Sequence, residues 1–117
     1  MSAEIKVEDF SFKEYQRLAK WYSKYPKDSL CTYGALGLCS EAGEVADKIK
    51  KAMRDNHGIV SDVTKMGLRK ELGDCLWYLA AIAGDFGWQL EDLAVENLLK
   101  LEDRSQRDRI SGSGDNR

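Results

Sequence analysis

Two pairs of acids carry the chemistry this sequence is equipped for: Glu41 and Glu44 in SEAGEVADKIKK, and Glu71 and Asp74 in RKELGDCLWYL. Both follow one pattern, acid, any residue, glycine, acid, inside stretches that otherwise read as helix. An interior glycine costs about 1 kcal/mol relative to alanine, and like charges this close on one face cost roughly 0.2–0.5 kcal/mol more. A pattern that accepts both penalties twice needs a reason. Side chains at i and i+3 of a helix diverge by only roughly 60° around the axis, so each pair projects to one side. If the two helices are antiparallel neighbours, the four carboxylates meet between them. At about 6 Å and an effective dielectric near 20 they repel by about 3 kcal/mol per pair, which a marginally stable domain does not tolerate without a cation.

Carboxylates unaccompanied by His or Cys select a hard cation, Mg2+ or Mn2+, over zinc. The only histidine, His57, falls in a predicted loop, so the Glu-x-x-His element of a di-iron bundle is not present. The bland alternative is two solvated helix faces, with Glu44 and Lys48 forming an ordinary i, i+4 pair.

The elements that must position these acids are legible as four helices. Ser11 and Glu14 have capping-box spacing, with Phe10 and Tyr15 placed as a hydrophobic staple, so the first helix starts near Phe12. It is expected to stop before Pro26, the one proline. A second helix is expected over about Tyr33 to Met53, where Leu38, Ala42, Val45, Ile49 and Ala52 recur at helical spacing. Asn56 and Gly58 end it, and Ser61 or Asp62 caps a third, from Thr64 to about Phe86, with Gly87 at a left-handed terminus. The fourth runs from about Leu90 to Arg104, with Glu91 and Asp92 at its positive end. Gly37, Gly43, Gly67, Gly73 and Gly84 strip bulk from helices two and three, as if to let their backbones approach. The expected fold is an all-α, antiparallel four-helix bundle in a single domain, ordered over about 11–105, with a flexible glycine- and serine-rich tail over about 106–117.

A formal net charge of -2 with both signs scattered argues against a basic face for duplex nucleic acid. The three cysteines contain no Cys-x-x-Cys pair, which speaks against a disulfide framework or a structural zinc site. The longest apolar run is interrupted by Asp85 and too short to span a bilayer, and the charged opening MSAEIKVEDF is unlike a signal peptide. A soluble, cytoplasmic protein with no membrane partner is the expectation.

LGLCSEAGEVADKIKK, KELGDCLWYLA and ENLLKLEDR ahead of GSGDNR resemble the MazG-like branch of the all-α nucleoside triphosphate pyrophosphohydrolases, over about Phe12 to Arg117. That family's pattern is an E-x-x-E helix followed, after a variable loop, by an E-x-x-D helix. The resemblance implies Mg2+-dependent cleavage of a nucleoside triphosphate to the monophosphate and pyrophosphate, in nucleotide-pool housecleaning. By position it implies Glu41, Glu44, Glu71 and Asp74 as metal ligands, with Glu41 also the residue that positions or deprotonates the attacking water. Ser40 departs from the acid many relatives carry there, which leaves the number of ions open. Asn97, Lys100 and Arg104, one stripe of the fourth helix at i, i+3 and i+7, are implied as phosphate contacts; the same stripe could equally be a solvated basic face. Tyr78, one turn beyond Asp74, either stacks on a base or lines the site, and similarity to relatives favours the base. Lys48 reaches either phosphate or Glu44. Relatives also wall the base pocket with the first helix, here aromatic through Trp21, Tyr22 and Tyr25, although buried packing is the expected role of most of these rings, and relatives associate as homodimers or homotetramers. Gly112, Gly114, Asp115 and Arg117 match the end of many such chains, as a lid over the phosphates or simply as disorder. The competing function, from another class, is a non-catalytic helical module that oligomerises or binds a protein partner.

Overall fold

The computed structural model describes residues 5–107; the expected tail from 108 onward, including the proposed lid residues, lies outside them. Four α-helices follow in order: α1 (Phe12–Ala19), α2 (Cys31–Asp55), α3 (Asp62–Asp85) and α4 (Leu90–Gln106), with short 3-10 turns at Val7–Asp9, Lys20–Tyr22 and Lys27–Ser29. There is no strand among the described residues. The all-α architecture is the expected one.

Local chemistry explains most boundaries. Ser11 Oγ accepts the Glu14 N–H at 3.1 Å, and the Phe10 and Tyr15 rings meet edge-on at 6.3 Å, so cap and staple are both present. The reciprocal half of the capping box is replaced: the Glu14 carboxylate binds Arg17. Ser61, not Asp62, caps α3, accepting the Thr64 N–H at 3.2 Å. Gly87 (φ 73°) turns the chain out of α3, and the Trp88 N–H returns to the Ala83 carbonyl at 2.8 Å.

α1 ends earlier than Pro26 requires. Trp77 Nε1 of α3 donates to the Ala19 carbonyl at 3.1 Å, taking the acceptor that would have continued the helix, and the Ser23 N–H drops back to Lys20 O. The chain tightens into the 3-10 turn there. Gln16 ties three elements at once: its amide donates to Trp88 O at 3.0 Å while its carbonyl accepts the Leu90 N–H at 2.9 Å. That second bond caps α4, whose own flanking residue Gln89 offers no side-chain cap.

α2 and α3 form the principal pair, and α1 and α4 pack on α3 and on each other. The pair is antiparallel: Gly34 meets Ile82, Gly37 meets Tyr78 and Lys48 meets Gly67, so rising numbers on one helix face falling numbers on the other. A Cβ at Gly37 would stand 2.1 Å from the Tyr78 ring and one at Gly34 2.7 Å from Ile82, so these two glycines set the closeness of the helices. Gly43 and Gly73, the glycines inside the acid motifs, face open space, and Gly84 meets only the Gln16 amide at 4.0 Å. The expectation that all five glycines serve this approach therefore holds for Gly37 and Gly67 alone.

The buried apolar set is thin, Ala19, Ala52, Ala80, Ala83 and Leu90, while Leu36, Met53, Val63, Met66, Leu72 and Leu98 all stand exposed. Among the described residues no helix is long and apolar enough to cross a membrane.

Candidate metal and nucleotide site

The antiparallel register brings acids of the two motifs together. One carboxylate oxygen each from Glu41, Glu71 and Asp74 lie within 4.8 Å of one another, Glu41 and Glu71 half-buried and Asp74 exposed. Glu44 is exposed and outside this group, although close enough for its charge to act on Glu41. Three oxygens at this spacing can ligate one cation, and a hard one by the chemistry of the donors.

The electrostatics of the cluster fall on Glu41. A hydrogen bond with Glu71 raises its carboxyl above the ordinary range first, burial second, and the charges of Asp74, Glu71 and Glu44 after that. Each of these causes favours the neutral form of the Glu41 carboxyl over its anion. A consequence is measurable. Because the folded-state value is raised, the stability this proton contributes is fully present at low pH and is lost as pH rises through the raised value. In chelator, the melting temperature of the wild type is expected to fall relative to that of Glu41→Gln as pH climbs above 4.5, the carboxyl's ordinary value. The amide donates the same hydrogen bond without titrating. A constant difference across pH would contradict the raised Glu41 carboxyl.

Neighbours complete the site. Lys48 Nζ lies 3.7 Å from Glu71 Oε1, so its ion pair crosses to α3 instead of following α2 back to Glu44. Cys75 beside Asp74 has its thiol pushed up by burial, then by Glu41, Asp74 and Glu71, which keeps it a protonated packing group and not a nucleophile. Tyr78 lays its ring on Gly37 and meets Trp77 edge-on at 5.2 Å. The ring edge turned to α2 is thus committed to helix packing.

Sequence reasoning missed Tyr15. Placed as a staple residue, it also feels Asp74, whose charge adds to burial in raising its phenol. With Phe10, Leu18, Tyr22 and Trp77 it lines an almost wholly apolar recess of about 430 Å³. Its signal was its place on the aromatic α1; its proximity to Asp74 depends on how α1 docks on α3. On α4, Asn97 is exposed, Lys100 half-buried and Arg104 buried at 3% exposure. The principal neighbours of that helix are α1 and α3, not α2.

The chain has relatives among known proteins. The chain is similar to the Gene 37 protein of Mycobacterium phage L5, 39% identical over 109 residues, covering 88% of this chain and 96% of that protein. No solved structure matches. A family model, the MazG nucleotide pyrophosphohydrolase domain, matches residues 33–107, from the start of α2 through both acid motifs to the end of α4. With only helices and turns among its described residues and acids gathered across α2 and α3, this chain belongs to the MazG nucleotide pyrophosphohydrolase family.

Proposed function

We propose that the chain hydrolyses nucleoside triphosphates to the monophosphate and pyrophosphate with Mg2+, Mn2+ being a workable substitute, as a single catalytic domain in nucleotide-pool housecleaning. The observation that carries this is the meeting of Glu41, Glu71 and Asp74 within 4.8 Å in a chain of this family. The donor set fits a hard divalent cation: oxygen ligands only, a surplus of negative charge, and a Glu41 carboxyl raised by its acidic neighbours and by burial, whose charged form a cation would favour.

Glu41, Glu44, Glu71 and Asp74 would hold the ion, which when bound offsets charge on the phosphate oxygens and lowers the pKa of water. Glu41 orients the attacking water and accepts its proton. Asn97, Lys100 and Arg104 hold phosphate oxygens from α4; a guanidinium as buried as that of Arg104 makes such a contact stronger than it would be in water. The recess of Tyr15 and Trp77 beside Asp74 receives the base, and Tyr78 supports it by bracing Trp77. The test is a panel of canonical and modified triphosphates assayed with Mg2+ and with Mn2+. Equal release of monophosphate and pyrophosphate is expected from at least one of them, and none from any overturns the reading.

The same chain assembles as a homodimer or homotetramer. Leu72 and Leu79, seven residues apart on one stripe of α3, are exposed with Leu36 and Met53 of α2, more apolar surface than one small subunit leaves in water without use. Leu72→Lys combined with Leu79→Lys is expected to reduce the mass found by light scattering toward the 13.2 kDa of one chain. A wild type already at that mass would refute the assembly.

A further inference from the structure

Lys48 is the one cation paired across the α2–α3 seam among the described residues, and three observations single it out. Its ammonium lies 3.7 Å from Glu71, with side-chain exposures of 31% and 20%, so the pair is partly withdrawn from water, where Coulomb attraction exceeds that of a surface pair. It makes this pair although Glu44 stands one turn back on its own helix, the position where an i, i+4 partner would ordinarily be taken. Its route also runs close over the opposite helix: a Cβ at Gly67 would stand 3.2 Å from Lys48 Cε and 3.4 Å from Nζ, so the missing side chain of Gly67 leaves the lysine its present path and a methyl there would press on it. Two further acids, Glu41 and Asp74, bring a carboxylate oxygen within 4.8 Å of one of Glu71.

We propose that Lys48 is an internal counter-ion of the acid group that competes with the divalent cation for Glu71, holding the helix pair together while the metal is absent and yielding Glu71 when it arrives. This rests on the reading of the acids as a metal site. The physics is charge balance. Without a cation, the carboxylates repel across the seam, and the Lys48 ammonium offsets part of that repulsion. With a divalent ion on Glu71, an ammonium at 3.7 Å from the same carboxylate faces a like charge of two units, so binding the metal entails giving up the Lys48 contact. The lysine therefore weakens metal affinity in the nucleotide-free protein and stabilises the metal-free fold. The released ammonium is then free to meet a substrate oxygen, which couples full metal occupancy to the presence of nucleotide.

The test is calorimetric titration of the full chain with Mn2+ alone, without nucleotide, alongside melting curves in chelator. Lys48→Met is expected to bind Mn2+ about tenfold more tightly than wild type, and to melt at a lower temperature in chelator. Lys48→Gln, which keeps a polar tip, is expected to behave the same way and guards against a folding defect peculiar to the methionine. Gly67→Ala, by crowding the lysine's path, is expected to tighten Mn2+ binding in the wild-type background and to leave it unchanged when Lys48 is already Met. Normal uptake by wild type with unaltered or weaker uptake by both Lys48 variants overturns the competition and leaves the metal site standing. No uptake by any of the chains removes the metal site and the competition together.

Discussion

Asp74→Asn is expected to lower Mg2+-dependent release of pyrophosphate by about 10²–10³-fold, the cost typical of removing one preorganised electrostatic group from a site, while the melting temperature in chelator holds or rises. The two halves of this result have separate causes. Asp74 is exposed and its neighbours in the acid group are like charges, so in the folded chain without metal its carboxylate adds repulsion to the group. Its charge acts unfavourably on the neighbouring Glu41 carboxylate. Asparagine keeps the shape and removes that repulsion. With metal the balance reverses, because a neutral amide oxygen is a poorer ligand for a hard cation than a carboxylate. Added Mg2+ should therefore raise the melting temperature of the wild type, by mass action on the folded state, and raise that of Asp74→Asn much less. Glu44→Gln is expected to follow the same pattern. Turnover within about threefold of wild type, a difference under about 1 kcal/mol in transition-state stabilisation, would remove Asp74 from the site.

How much of this site was legible beforehand depended on which residues act within one helix and which act between two. The grouping of acids was legible because i, i+3 spacing fixes a face without any knowledge of packing, and because antiparallel neighbours are the default for helices joined by a short loop such as 56–61. The caps at Ser11 and Ser61 and the left-handed turn at Gly87 were legible for the same reason: each is settled within a few residues. What escaped was rotational register. Whether Lys48 meets Glu44 or Glu71 depends on how far α2 is turned about its axis against α3, and sequence periodicity does not specify that angle. The glycines divide along the same line, Gly37 and Gly67 lying in the seam while Gly43 and Gly73, in identical motif positions, look out of it. The end of α1 escaped too, since it is decided by an indole from a helix 58 residues further along the chain. The spread of exposed apolar side chains was hidden by composition, which counts hydrophobic residues but not what covers them.

Gly37→Ala is expected to be the most destabilising single methyl that can be added to this chain, at about 1–3 kcal/mol. The new Cβ would sit 2.1 Å from Tyr78 Cε1, 2.3 Å from Cζ and 2.6 Å from Cδ1, so it overlaps a whole ring edge and not the tip of a flexible chain. Tyr78 has little freedom to retreat, because its ring already stands edge-on to Trp77 at 5.2 Å, and Trp77 is anchored in turn to the Ala19 carbonyl. Helix propensity acts in the opposite direction, since alanine in a helix interior is favoured over glycine by about 1 kcal/mol. The sign of the measured change therefore decides which effect governs this position. Gly43→Ala supplies the control, for there the added methyl meets nothing within 4 Å, and the same propensity gain should appear undiminished as a small rise in melting temperature. Tyr78→Ala placed beside Gly37→Ala should recover part of the loss, because the two changes share one volume and are not additive. The clash also lies one helical turn from Glu41, so displacement of Tyr78 should shift α2 against α3 where the acids meet. Gly37→Ala is accordingly expected to weaken Mn2+ uptake as well as stability, and Gly43→Ala to change neither adversely. A Gly37→Ala chain as stable as Gly43→Ala would mean that Tyr78 does not rest on α2 at all.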